Sequence, residues 1–322
     1  MTQVEPAKPM KFVKPRNHRY DVLWKYRYHY LLFVPVLVIT FLFYYLPMGG
    51  IRFAFYKYTP FSPPSWVGWA NFHRLWFERP AFWTAFNNTL VLSLTNLALS
   101  MVCSVVLSLL INEIKTRFVK RTMQTIVYLP HFLSWVVVAS VFYIILSPGN
   151  NPATSGLVNA LLMQWGFIQK PIFFLADSKW WTPVYLFISR WKETGWGTVI
   201  FLATLTSIAP DLYEAAQIDG AGRWRQCLNV TIPAMMNTFV VVLILNLSKV
   251  MNLFESVLVL QNDRVLRATE VLQTYVYHQG IIAQSAEYGY PTAVGLFRSV
   301  VACGLVLICN YVSKRVNGRG II

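Results

Sequence analysis

Charged and amide side chains recur inside runs that are otherwise apolar, and any chemistry in this sequence must lie there. One run carries Arg190, Trp191, Lys192, Glu193 and Trp196; another carries Asn246, Lys249, Asn252 and Glu255, at every third residue. An ionised group at the centre of a membrane helix costs about 2.5–3.5 kcal/mol on insertion scales, so such groups face a cavity or a partner. Arg190 and Glu193 are three apart and could pair along one helix face. Indole faces combined with amide and charged donors are what a polyhydroxyl ligand needs, stacking for its C–H faces and hydrogen bonds for its hydroxyls. Arg190, Trp191, Glu193, Trp196, Asn246, Lys249 and Asn252 are therefore candidate lining residues of a substrate path. The same groups would serve equally as contacts between helices or with a partner subunit. His131, which follows Pro130, reads as structural.

Covalent chemistry finds no support. There is no G-x-x-x-x-G-K-[ST] phosphate loop, no H-E-x-x-H and no G-x-S-x-G. Cys103, Cys227, Cys303 and Cys309 have neither metal-ligand spacing nor the pattern of a disulfide framework. No catalytic residue, metal site or cofactor is expected in this chain. If nucleotide hydrolysis drives it, another subunit performs the hydrolysis.

The elements that position these residues follow from composition. The chain has 322 residues, 56% hydrophobic and only 13% charged, with a mean hydropathy of +0.45. A soluble domain carries about 25% charged residues, so this is the composition of a membrane protein. Six runs are long enough for a span of about 20 residues, at 31–51, 88–111, 123–146, 183–207, 233–255 and 290–312. The expected fold is an all-α membrane protein with six transmembrane helices. The net charge of +15 is concentrated at alternate ends of these runs. Lys8, Lys11, Lys14, Arg16, Arg19, Lys25 and Arg27 precede the first span, Lys115, Arg117, Lys120 and Arg121 precede the third, and Lys314, Arg315 and Arg319 follow the last. By the positive-inside rule both termini are cytoplasmic, an N-in/C-in topology, and the charge reports orientation rather than nucleic-acid binding. The first apolar run far exceeds a signal-peptide core of about 7–15 residues and reads as an uncleaved span. The aromatic, turn-rich stretch 52–84 reads as an outer interfacial belt or as a docking surface for an extracytoplasmic partner. The stretch 156–168, inside the loop 147–182, is too short to span and reads as interfacial.

Between the fourth and fifth spans lies a polar, helix-prone insert, 208–232. Pro210 suits the first position of a helix, and Asp211 and Glu214 place negative charge near its N-terminus. Leu212, Ala215, Ala216 and Ile218 give an apolar side with small residues. Asp219-Gly220 should end the helix, Gly220 supplying the positive φ of the turn. A second short helix near 222–230 then leads to Pro233. The insert reads as a rigid cytoplasmic elbow joined to both neighbouring spans.

Glu214-Ala215-Ala216-Gln217-Ile218-Asp219-Gly220-Ala221, followed by Pro233, resembles the signature loop of permease subunits of binding-protein-dependent ABC importers. Further stretches resemble the oligosaccharide and polysaccharide branch of that family: Leu46-Pro47-Met48-Gly49-Gly50-Ile51, Trp66-Val67-Gly68 with Asn71-Phe72, Tyr128-Leu129-Pro130-His131-Phe132-Leu133-Ser134-Trp135, Trp191-Lys192-Glu193-Thr194-Gly195-Trp196-Gly197, and Thr292-Ala293-Val294-Gly295-Leu296-Phe297. The resemblance runs from about residue 25 to the C-terminus. Cys227 and Ala209 depart from it, standing where the family often has an aromatic or aliphatic residue and an acidic cap. The resemblance implies a type I importer fold and a multi-pass protein of the bacterial cytoplasmic (inner) membrane. It assigns 1–29 as a cytoplasmic basic tail, 30–82 as the first transmembrane helix and outer aromatic loop, 83–315 as the importer transmembrane domain, and 208–232 as the coupling loop within it. It implies as partners a second permease subunit, two cytoplasmic ATPase subunits that bind ATP and Mg, an extracytoplasmic sugar-binding protein and membrane lipid. Glu214, Ala215, Ala216, Asp219, Gly220, Ala221 and Pro233 become the ATPase-coupling residues. An ion-coupled secondary sugar transporter is the rival reading, but it should show inverted repeats and broken helices. A glycan-acting membrane enzyme would need a catalytic constellation that does not stand out.

Overall fold

Prolines and glycines shape the helices of this chain more than any other residues. The computed structural model describes residues 24–283 and 287–317, and the chain divides after Arg52 into two compact units. In the first unit, α1 (Arg27–Thr40) runs through a π-helical turn, Phe41–Tyr45, into Leu46–Met48. The Leu46 N–H bonds the Phe41 carbonyl, five residues back, immediately ahead of Pro47. A proline has no N–H and crowds the carbonyl four residues before it, and a π turn absorbs both defects. The expected basic residues Lys8, Lys11, Lys14, Arg16, Arg19 and Arg319 lie outside the described residues.

The second unit opens on a departure from the all-α expectation. The aromatic stretch contains a small antiparallel hairpin, β1 (Tyr56–Thr59) and β2 (Ser62–Trp66), with Tyr56 opposite Trp66. Aromatic residues favour the pleated, half-buried surface, and Phe55 stacks on Trp66 at 5.9 Å. Buried Asn71, on α2 (Ala70–His73), donates to the carbonyls of Ala54 (2.9 Å) and Tyr56 (3.0 Å) and ties the hairpin down. Arg74 pairs with Glu287 at 2.6 Å, a bond that raises the guanidinium pKa above its ordinary value.

The remaining helices are α3 (Pro80–Glu113), α4 (Arg117–Tyr128), α5 (Trp135–Ile145), α6 (Leu157–Gln164), α7 (Ser178–Thr206), α8 (Pro210–Ile218), α9 (Arg223–Gln226), α10 (Ile232–Leu247), α11 (Glu255–Leu260), α12 (Leu266–Thr269), α13 (Leu272–Tyr277) and α14 (Gly289–Asn317). Among the described residues, four helices are long and apolar enough to cross a membrane, or up to six if each of two bent pairs is one span. The bent pairs are 117–132 with 135–145, at 99°, and 178–206 with 210–218, at 69°. The α3, α7 and α10 helices share an apolar core of Met101, Ile111, Phe201, Leu202, Leu205, Met235 and Val242. A second core gathers Trp181, Tyr185, Val257 and Leu260. Fully buried Asn159 staples the connection between α5 and α7, since its amide serves the carbonyls of Leu146, Ser147 and Ile172 and accepts the Ile172 N–H.

Two of the expected runs are not the continuous helices their apolarity suggests. The run 123–146 is not one helix: it breaks at a 3₁₀ turn, Leu129–Phe132, which contains Pro130. Ser134 then starts α5 as a true N-cap, extended at ψ 153° and accepting the Val137 N–H at 3.3 Å. The Ser134→Ala variant should lower stability by about 0.5–1 kcal/mol, readable as a lower melting temperature of the solubilised protein. The run 233–255 stops being helical at Leu247. At its other end it continues from α9 through another π turn, Cys227–Thr231, again just ahead of a proline, Pro233.

Candidate functional site

A cavity of about 340 Å³ opens where the break between α4 and α5 faces α3, α7 and the end of α10. Its walls carry Ser93, Asn96, Ser100 and Ser104 from α3, Arg190, Glu193 and Trp196 from α7, His131 from the break, and Asn246 and Lys249. Five of the seven residues expected on the substrate path are thus brought together. Trp191 and Asn252 are not among the lining residues. Trp191 packs edge-on against Phe142, ring centroids 5.5 Å apart. Asn252 lies beyond the end of α10, because the three-residue repeat of 246, 249, 252 and 255 is not carried by one helix.

The Arg190–Glu193 pair that the spacing allows does not form. Glu193 is bound on both oxygens, by Lys192 Nζ at 3.1 Å and His131 Nδ1 at 2.8 Å. Lys192 is only 4% exposed and also donates to the His131 carbonyl at 2.9 Å. That carbonyl lies in the 3₁₀ turn that interrupts the helix, and a buried carbonyl without a donor costs about 1–3 kcal/mol. Lys192 therefore satisfies the broken backbone and neutralises Glu193 together. His131 stacks flat on Trp196, centroids 4.7 Å apart and 3° between planes. Arg190 bonds Asn96 Oδ1 at 2.7 Å through Nη2, while its Nε and Nη1 are buried without a hydrogen-bond partner. Close packing holds this wall in place: a Cβ on Gly195 would collide with the main-chain carbonyl of Val127.

The contribution of α3 is the part that sequence reasoning missed. Thr89, Ser93, Asn96, Ser100, Ser104 and Ser108 recur at intervals of three and four, one face of a helix. The spacing was present in the sequence, but single hydroxyls in an apolar run pass as ordinary. Elsewhere a larger hollow of about 570 Å³ is lined by Phe55, Trp69, Phe72, His73, Trp76, Phe77, Leu296, Phe297 and Val300, and is too apolar to orient a polar ligand.

The elbow is built as its residues dictate. Pro210 begins α8, Asp211 lies in its first turn, and Ala209 caps it without a side-chain bond. At the other end Gly220 has φ +75°. The Gly220 N–H bonds Gln217 O and the Ala221 N–H bonds Ala216 O, at 3.0 and 2.8 Å, a Schellman closure. Tyr213 and Thr231 hydroxyls meet at 3.0 Å, and Gln226 donates to Ala221 O at 2.7 Å, so the two arms are tied across the turn. A hollow of about 410 Å³ is lined by Leu212, Ala215, Ala216, Asp219, Ala221 and Arg225, among others. Glu214 is exposed. Ile218, expected on the apolar side of the elbow, is 88% exposed, and Trp224, which the sequence did not single out, is 75% exposed. Among the described residues no cluster of His, Cys, Asp and Glu could hold a metal ion.

Apolar helices around a polar cavity, with a capped and exposed elbow between two of them, define a polytopic membrane transport subunit. Residues 96–318 match the family described as binding-protein-dependent transport system inner membrane component, and the chain belongs to that family. It is a multi-pass protein of the inner membrane. It is 39% identical over 315 residues to the polygalacturonan/rhamnogalacturonan transport system permease protein YteP of Bacillus subtilis (strain 168), covering 96% of this chain and 95% of that one. It is 38% identical over 296 residues to the protein LplB of the same organism, covering 91% and 90%. A chain in the crystal structure of a bacterial ABC transporter involved in the import of the acidic polysaccharide alginate superposes with a TM-score of 0.83 at 34% identity, covering 93% of this chain and 99% of that one. A second structure, of the bacterial alginate ABC transporter in complex with alginate pentasaccharide-bound periplasmic protein, matches with the same TM-score and identity. These likenesses do not favour an ion-coupled transporter.

Proposed function

We propose that this chain forms half of the membrane pathway of an ATP-driven importer for oligosaccharides or polysaccharide fragments, acidic ones included, delivered by an extracytoplasmic binding protein. Likeness over nearly the whole chain, in sequence and in fold, to permeases of acidic-polysaccharide importers carries this reading. On this reading the chain crosses the membrane six times with both termini inside: the bent pair 117–132 with 135–145 is one span, and in the other pair 178–206 is the span while α8 turns off it into the cytoplasm. A second permease subunit completes the pathway, and two cytoplasmic ATPase subunits bind ATP and Mg. The chain itself performs no covalent step.

The mechanism is alternating access. The α8 elbow seats in a cleft of an ATPase subunit, with Glu214 facing a basic residue there and Leu212, Ala215 and Ala216 allowing close approach. Because α8 is bonded to the start of the fifth span through Tyr213 and Thr231, movement of the ATPase is transmitted to α7 and α10. Nucleotide and cargo shift the balance only through their different affinities for the two states.

The test is ATPase activity of the purified assembly with and without sugar-loaded binding protein. Gly220→Pro should abolish stimulation, because proline cannot adopt φ +75° and removes the donor to Gln217; local strain and the lost bond together cost about 2–3 kcal/mol. Glu214→Arg should lose stimulated ATPase and uptake while the membrane chain stays folded. Unchanged coupling in both variants refutes the role of the elbow.

A further inference from the structure

We propose that the cavity between α3, α7 and the end of α10 is an anion-selective sugar site, in which Arg190 and Lys249 read a carboxylate on the saccharide. This rests on the reading of the chain as a sugar permease, and goes beyond it by naming the property selected inside the membrane and the residues that select it.

Arg190, Glu193 and Lys249 are the Asp, Glu, Lys and Arg side chains that line the cavity. Glu193 is already answered, one oxygen by Lys192 and the other by His131. Lys192 is buried and is not itself a lining residue, so its charge cancels that of Glu193 without occupying the cavity. Arg190 and Lys249 are left. A guanidinium is charged at any pH a protein meets, yet Arg190 is held only by the neutral Asn96 amide. Lys249 is exposed and forms no ion pair among the described residues. Low-dielectric walls concentrate the field of two such unanswered cations.

A uronic acid fits this arrangement. Its carboxylate supplies the opposite charge that neither cation finds in an ion pair among the described residues. Trp196 is half exposed, with His131 stacked flat on it and Phe132 edge-on, and its exposed indole surface can meet a sugar ring. Asn96, Ser100 and Asn246 add partly exposed polar side chains to the same cavity wall. A neutral sugar makes hydroxyl bonds but leaves both cations unanswered, so discrimination comes from the penalty on the wrong ligand as much as from the gain with the right one.

Equilibrium binding of a short galacturonic-acid oligosaccharide and of its carboxyl-reduced, neutral counterpart to the whole permease–ATPase assembly in lipid nanodiscs tests the proposal. Wild type should favour the acid by about 30-fold or more, and added salt should narrow the preference. Arg190→Gln with Lys249→Gln should bring the ratio close to one, and Arg190→Lys should retain most of it. A wild-type ratio near one, or a ratio unchanged in the double variant, overturns the proposal. If the double variant does not assemble, Lys249→Gln alone, with the salt dependence of the wild type, decides it. ATP-driven uptake into vesicles is read separately. Selective binding with no uptake refutes the importer and leaves the carboxylate site standing; uptake with no preference for the acid does the reverse.

Discussion

Replacing Gly195 by valine is expected to pull α4 away from α7 and to cost the solubilised assembly about 3 kcal/mol, the upper part of the range for overpacking a well-filled contact. A Cβ at this position meets the carbonyl oxygen and carbon of Val127, main-chain atoms that no rotamer can move aside. Small residues at helix crossings in membranes permit this kind of backbone approach. Gly197→Ala is the control, two residues along the same helix. There the colliding group is the Ser104 hydroxyl, the free end of a side chain that can rotate away. Thermal unfolding of both variants, with uptake, should separate them clearly. Equal behaviour would mean that the close approach of α4 and α7 is not what holds the broken span.

Lys192→Met should be nearly as damaging. It removes the cation that pairs with Glu193 at 3.1 Å and the donor that satisfies the His131 carbonyl at 2.9 Å. Breaking a buried pair by deleting one partner costs about 3–5 kcal/mol; the low end is expected because Glu193 remains 32% exposed and keeps its bond to His131. Adding Glu193→Gln should restore part of the loss by removing the uncompensated charge, and a double-mutant cycle in thermal unfolding measures how much. The carbonyl left without its donor is not restored, so the double variant should stay below wild type. A loss under about 0.5 kcal/mol for Lys192→Met alone would show that the lysine does not support the break.

How much of this was legible depended on how local each signal is. The elbow could be read almost residue by residue, because Pro210, Gly220 and Pro233 act through backbone constraints that need no tertiary context. The break at 129–134 carried its proline in plain view, but the surrounding apolarity suggested one span, and what makes the break tolerable is a lysine 61 residues away. The end of α10 was misjudged for a related reason. Asn246, Lys249, Asn252 and Glu255 mimic a helical stripe, whereas the chain leaves the helix after Leu247 and only the first two reach the cavity. The Arg190–Glu193 pair was the default from spacing alone, and it lost to Lys192, His131 and Asn96, which come from the adjacent position and from two other segments. The hairpin at 56–66 lay in a segment rich in prolines, where the aromatic residues that pair across it looked like an interfacial belt.

The two sides of the cavity differ in how much freedom they surrender to a ligand. On one side Glu193, His131 and Trp196 are already fixed by hydrogen bonds and a flat ring stack, so binding there loses little rotamer entropy. Lys249 stands beyond the last turn of α10 on a four-carbon stem, and ordering it costs up to about 2 kcal/mol. In the proposed site, a rigid wall together with an exposed cation on a long stem can hold one sugar ring in a set orientation while the charge reaches a carboxylate at more than one position. Such a site tolerates carboxylates displaced along or around the chain, so it suits mixed cleavage products of one polymer better than a single defined oligosaccharide.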